Sequence, residues 1–279
     1  MLFQPSQNNL NQQKYDQVLI ASDVDRTLVA PPAKFLEEEI AFLNDLHKGG
    51  VQFFFATGRS ESAARDILSS LPFPFFLAPQ NGTTLLQMPE GRKLKERTLY
   101  LNELPEELLK GWLFMGEGVS FYDPRGFSSA EESYAISRAV LLNEMLVLAP
   151  PTTSVFSLKK FGSREVLAKE VLPFIELGYT VTLTKDMLRP TVTVAQVTPK
   201  GVNKGSVLDD LLTLLPRKPS YIIGCGDDFN DLPLLERSHF KIVMKDAPID
   251  VLQHADLVAD VAEAGGLYRA LKTLFRDST

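Results

Sequence analysis

The chain has 279 residues, 44% of them hydrophobic, a net charge of −6 and a single cysteine, Cys225. That length allows a sizeable core in one or two domains, and the acidic balance argues against nucleic-acid or membrane-surface binding, which want broad basic faces. An anionic substrate remains compatible if a metal ion and a few cations act locally. One cysteine rules out an intrachain disulfide and fits a reducing compartment.

Residues 1–13 are rich in Gln and Asn, with no basic start and no apolar core. They read as a flexible tail rather than a secretory signal or membrane anchor. No later stretch offers the ~18 consecutive apolar residues of a membrane span, so a cytoplasmic protein is expected. Val18 to Ala21 then reads as a buried strand that stops at two carboxylates one residue apart, Asp23 and Asp25. Residues i and i+2 of a strand point the same way, so both side chains can enter one site. If the chain leaves the strand at Asp25, its backbone carbonyl supplies the contact instead. Thr27 adds a hydroxyl at the same strand end.

Leu36, Ile40, Leu43 and Leu46 recur at helical spacing, and Gly49-Gly50 supplies the stop. Val51 to Ala56 reads as a second buried strand running into Thr57-Gly58-Arg59-Ser60, with Ser60 as the N-cap of a helix lined by Ala64, Ile67, Leu68 and Leu71. Phe73 to Ala78 is a third strand, leading into Gln80-Asn81-Gly82, and residues 84–94 a hairpin. Strand, helix, strand, helix, strand is the order of a doubly wound parallel sheet.

From Tyr100 the order changes. Helices are expected over 101–114, 131–148 and 164–177, and strands over 119–122, 154–159, 179–184 and 191–197. This is an α+β unit with a sheet open on one face. Substrate specificity is expected to reside in this unit, with Lys159, Lys160, Lys185 and Arg189 as candidate contacts, although most of them read as solvated surface. The strand–helix alternation resumes at Lys200 with a helix over 203–215, a strand over 221–225, a loop from Gly226 to Asp231, a short helix over 232–236 and a strand over 241–244. Helices over 249–254 and 267–275 close the chain. The expected organisation is a Rossmann-like α/β core of residues 14–98 and 198–279, interrupted by an inserted α+β cap over 99–197.

Four segments of the core end strands or open helices. They are Asp23-Val24-Asp25-Arg26-Thr27, Thr57-Gly58-Arg59, Lys200 to Gly205 with Lys204, and Gly226-Asp227-Asp228-Phe229-Asn230-Asp231. Parallel strands end along one edge, so these segments can converge. Asp23, Asp25, Asp227 and Asp231 in one cleft would repel, at roughly 4 kcal/mol per pair for ~4 Å and an effective dielectric of ~20. Protonation or a bound divalent cation relieves this, and all-oxygen ligands favour Mg2+ over zinc or copper. Carboxylates, an ammonium (Lys204), hydroxyls (Thr27, Thr57) and a metal are the apparatus for phosphoryl groups, whose transfer is mostly positioning and charge neutralisation.

In this order the motifs resemble the haloacid dehalogenase superfamily of phosphatases, and the inserted unit is similar to the caps of its Cof-like and sucrose-phosphate-phosphatase branch. The resemblance implies Asp23 as nucleophile forming an aspartyl-phosphate and Asp25 as general acid and base. It implies Thr57 and Lys204 on the phosphoryl oxygens, and Mg2+ held through Asp23, Asp25 and Asp227, with Asn230 and Asp231 in supporting metal contacts. Thr27, Gly58, Arg59 and Asn81 are candidate substrate contacts, Arg59 and Asn81 reading equally well as loop braces. Two departures from the common pattern stand out: Arg26 where glycine is frequent, and Lys245-Asp246 in place of a frequent Gly-Asn pair. The expected activity is Mg2+-dependent hydrolysis of a small phosphorylated metabolite, such as a sugar phosphate. A phosphotransferase or mutase using the same intermediate, and a silent protein that binds a phosphorylated ligand, are the other readings.

Overall fold

Val18–Ser22 forms β1, and every one of its five residues is buried. Alternate side chains leave a strand on opposite faces, so β1 feeds two cores at once. Ile20 packs with Phe53, Phe55, Leu43 and Leu271 on one side. Leu19 and Ala21 pack with Phe54, Val207, Leu208 and Leu211 on the other. A continuous apolar run is therefore what this position demands. Each fully buried Phe contributes about 2–3 kcal/mol.

The computed structural model describes residues 15, 17–30, 35–100, 103–105, 107–109, 120–121, 154–186, 189 and 191–276. The chain divides into two compact units, Met1–Lys95 with Lys204–Thr279, and Glu96–Asn203.

In the first unit β1 pairs in parallel with Gln52–Ala56 (β2) and with Tyr221–Gly226 (β12). Phe75–Ala78 (β3) extends one side, and Phe240–Met244 (β13) and Leu257–Ala259 (β14) the other, all in parallel. The hairpin Thr84–Met88 (β4) and Arg92–Glu96 (β5) closes the β3 edge, giving the order β14-β13-β12-β1-β2-β3-β4-β5. This is the doubly wound, Rossmann-like sheet expected, with helices Glu37–Lys48, Glu61–Leu68, Lys204–Leu214 and Gly266–Arg276 around it. Ser60 caps its helix as expected, accepting from the Ala63 amide. No strand is expected from the sequence at Leu257–Ala259, because three residues on a sheet edge are too few to show a period.

The second unit carries an antiparallel sheet in the order β10-β11-β9-β7. Its strands are Ser120–Phe121 (β7), Leu158–Gly162 (β9), Thr180–Lys185 (β10) and Thr193–Thr198 (β11). Leu99–Tyr100 (β6) and Ser154–Val155 (β8) form a separate pair. Leu158, Ala195 and Val197 pack with Leu167 and Phe174 from the helices Arg164–Glu170 and Leu172–Glu176. Those helices replace the single one expected over 164–177: Pro173 lacks the N–H that a continuous helix needs, and the chain restarts there with proline in its first turn. The helix expected over 131–148, and most of that over 101–114, lie outside the described residues.

Lys159 and Lys160 correct the surface reading. They are 9% and 2% exposed, on consecutive positions of β9 and therefore on opposite faces of its sheet. Lys160 pairs with Glu170 at 2.8 Å. Arg189, by contrast, is exposed, paired with Asp186 and lying over the Phe161 ring.

Candidate active site

Because β1, β2, β3, β12 and β13 are parallel and in register, their carboxyl ends share one edge. The backbone N–H of Asp23 continues the ladder for one more step, donating to the Cys225 carbonyl at 2.9 Å. Asp23 thus enters the site on the last rung of β1, directly beside the start of the Asp227 loop. That loop closes on itself. Asp231 Oδ2 accepts from the amides of Asp227 and Asp228 at 2.9 and 3.0 Å. Gly226 is required there, since a Cβ would lie 2.5 Å from the Cβ of Asp231.

Lys204 is the first residue of its helix, and its ammonium is buried between two acids. Nζ donates to Asp23 Oδ1 at 2.5 Å and to Asp231 Oδ1 at 2.6 Å. The helix approaches Leu232–Leu235 closely enough that a Cβ on Gly205 would stand 2.2 Å from the Pro233 carbonyl oxygen. Glycine at 205 is thus part of how Lys204 reaches the acids.

Asp23, Asp227 and Asp231 are all buried and bring one carboxylate oxygen each within 4.8 Å of one another. Burial and the neighbouring Asp231 and Asp25 push Asp23 up from 3.8 to about 7, against the opposing pull of Lys204. Asp227 is likewise raised, by burial first and then by Asp23 and Asp231. The two adjacent acids hold excess negative charge that one lysine does not neutralise. Hard oxygen donors in that condition fit a divalent cation. Burial and the two bonded acids hold different sway over Lys204: desolvation alone would lower it, but the acids prevail and it stays protonated.

The remaining predicted residues form a second chain of contacts. Arg59 grips Asp25 with two nitrogens, Nε at 2.7 Å from Oδ2 and Nη2 at 2.7 Å from Oδ1. Its amide donates to Thr57 Oγ1 at 3.1 Å, across Gly58. The Asn81 amide donates to the Thr57 carbonyl at 2.8 Å, and Asn230 Nδ2 donates to Asn81 Oδ1 at 3.2 Å. Gln80 and Asn81 are both buried at positive φ, 50° and 56°. Non-glycine residues there are uncommon and often mark functional loops. Thr27 Oγ1 donates to Asp227 Oδ1 at 3.1 Å. Contacts and chain neighbours therefore link the predicted residues in a series, Asp23, Lys204, Asp231, Asn230, Asn81, Thr57, Arg59 and Asp25, whose two ends lie two positions apart in the chain.

Two contacts of the site are not apparent from the sequence. One is the bidentate hold of Arg59 on Asp25, 34 residues away; the Thr-Gly-Arg motif was the available signal. The other joins Arg26 Nη2 to Asp246 Oδ2 at 2.5 Å. Both residues were visible as departures from the common pattern, but nothing in the sequence connects them.

The sequence matches the haloacid dehalogenase-like hydrolases over residues 20–271. The chain belongs to this family, and within it is a phosphatase-type enzyme. An HMP-PP phosphatase of Serratia proteamaculans (strain 568) is 26% identical over 235 residues, covering 82% of this chain and 84% of its own length. In fold, the chain is similar to a phosphatase of the haloalkanoate (HAD) enzyme superfamily from Bacteroides thetaiotaomicron, at TM-score 0.69 and 21% identity over 97% of this chain and 99% of that one. A HAD subclass IIB sugar phosphatase aligns at TM-score 0.66 and 20% identity over 92% and 98%. Among the described residues no helix is long and apolar enough to cross a membrane.

Proposed function

We propose that this chain is a Mg2+-dependent phosphomonoesterase acting on a small phosphorylated metabolite, such as a sugar phosphate, through an aspartyl-phosphate on Asp23. The observation that carries the reading is the buried Lys204 ammonium fixed between Asp23 and Asp231, with Asp227 beside them. A carboxylate so placed is aimed, and a cation beside it offsets the charge of an approaching phosphoryl group.

In this reading an Asp23 oxygen attacks phosphorus, the bond to the leaving oxygen breaks, and Asp25 delivers a proton to that oxygen. Asp25 then takes a proton from water, whose oxygen attacks the aspartyl-phosphate and releases phosphate with Asp23 restored. Thr57 and the third N–H of Lys204 hold phosphoryl oxygens. The two-nitrogen hold of Arg59 fixes the orientation of the Asp25 carboxyl beside the nucleophile's loop.

Asp23, Asp227 and the Asp25 carbonyl would hold Mg2+, which when bound supplies a positive charge against the phosphoryl oxygens. Asp231 supports this site rather than entering it, since both of its oxygens already accept hydrogen bonds from Lys204 and the loop amides. Asn230 supports it through Asn81. The unit Glu96–Asn203 acts as the cap that selects substrate, and the protein works in the cytoplasm. The relatives named as HMP-PP phosphatase and sugar phosphatase support a small phosphorylated substrate.

The test is release of phosphate from an aryl phosphate and from a panel of phosphorylated metabolites, with and without Mg2+. Metal-dependent turnover that vanishes in Asp23→Asn is expected. Undiminished turnover in that variant would remove the proposed nucleophile.

A further inference from the structure

The loop that carries Asp23 and Asp25 continues into Arg26, which takes a left-handed backbone at φ 62°. For a residue with a Cβ this conformation costs about 1–2 kcal/mol, which glycine would not incur. The turn is held there by bonds from the Arg26 amide to the Val29 carbonyl and from Leu28 to Val24. The guanidinium leaves this turn between two acids. Nη2 lies 2.5 Å from Asp246 Oδ2, and Nε lies 3.8 Å from Asp227 Oδ2. Asp246 follows β13, on the same sheet edge as Asp227. Its neighbour Lys245 pairs elsewhere, with Asp260 at 2.5 Å, so it does not compete for Asp246.

Asp227 is thus flanked on both oxygens by consecutive residues of the first loop: Thr27 on Oδ1 and Arg26 toward Oδ2. Thr27 brings no charge. Arg26 brings a full positive charge to the acid that the proposed function gives to the metal, and Asp246 draws that charge away.

We infer that the Arg26–Asp246 pair sets how tightly the acid cluster holds its cation: Arg26 is a resident counter-charge competing for Asp227, and Asp246 restrains it. This rests on the proposed Mg2+ site but assigns a role to two positioning residues outside it. The two residues act in opposite directions. Without Arg26 the carboxylates lose a competitor and Asp246 adds a negative charge nearby, so the cation binds more tightly. Without the Asp246 charge the guanidinium is free to settle on Asp227, and the cation binds more weakly. A purely structural clamp predicts no such opposition, because losing either partner would loosen the same loop.

The experiment is calorimetric titration of the substrate-free full chain with MgCl2, for the native protein, Arg26→Gly, Asp246→Asn and the double variant. Glycine accepts the backbone at position 26, so that variant keeps the turn. Expected are a dissociation constant roughly threefold to tenfold lower in Arg26→Gly and higher by a similar factor in Asp246→Asn, as for partly exposed charges. In the double variant the Asp246→Asn weakening disappears, because no guanidinium remains to be released. Shifts of the same sign in both single variants, or no shift in either, would overturn the inference while leaving the metal site standing. No Mg2+ binding by the native protein would overturn the metal assignment and this inference together.

Discussion

Lys204 Nζ stands 2.5 Å from Asp23 Oδ1, although 181 residues separate them. The contact joins the end of the first strand to the start of a helix after the inserted unit. Both groups are buried, so each depends on the other. Replacing Lys204 by Met leaves Asp23 and Asp231 desolvated without their cation. Breaking a buried pair from one side costs about 3–5 kcal/mol. Chemical denaturation is expected to show a loss of this size. Asp231→Asn combined with Lys204→Met loses less than the sum of the two, because both changes remove one contact.

Asp25 and its arginine lend themselves to a kinetic test. Asp25→Asn removes the proton carrier but not the nucleophile. With an aryl phosphate, whose leaving group needs little protonation, the variant is expected to give a burst of about one equivalent of phenol followed by slow turnover. A steady rate equal to the native one, with no burst, would show that Asp25 carries no proton. Arg59→Lys cannot reproduce the two-nitrogen grip on Asp25, so a loss on the order of tenfold to a hundredfold in kcat/KM is expected even though the charge is kept. Full activity in Arg59→Lys would reduce the residue to a loop brace.

The acid cluster predicts an unusual response to pH. Asp23 sits at about 7 in the folded, metal-free chain against 3.8 for an ordinary aspartate. A raised carboxyl binds its proton more tightly folded than unfolded. Its stabilising contribution is complete below pH 3.8 and is lost as pH rises toward 7. Asp227, raised by burial and the same neighbours, acts in the same direction. A divalent cation replaces the lost proton as counter-charge. Melting curves should therefore show a larger gain in Tm from MgCl2 at pH 7.5 than at pH 5. An equal gain at both would mean that the acids do not share the cation.

Cys225 offers a control on the fold. Burial pushes its thiol far up, and it lies within β12 with no exposure. The native protein should resist alkylation by iodoacetamide, and react only on unfolding.

Much of this site is legible in the sequence because parallel strands impose a shared edge. Once Val18–Ser22, Gln52–Ala56 and Tyr221–Gly226 are recognised as buried strands, the residues that follow each must meet. Asp23, Thr57 and Asp227 can be named together for that reason. Lys204 is legible only through the motif, since an isolated lysine at a helix start reads as solvated surface. What stays hidden depends on side-chain aim rather than strand order. The reach of Arg59 back to Asp25, and of Arg26 to Asp246 across 220 positions, follows from loop conformations such as the positive φ at residue 26. The burial of Lys159 and Lys160 was hidden too. It depends on tertiary contacts such as that of Lys160 with Glu170 of the following helix, which the local pattern around two lysines does not reveal.

The most direct measurement is to quench the enzyme in acid during turnover of a radiolabelled phosphomonoester and map the label by peptide digestion. The account predicts an acid-stable, hydroxylamine-sensitive phosphoryl group on the peptide carrying Asp23, absent from Asp23→Asn. Label on another residue, or steady turnover by Asp23→Asn, would contradict it.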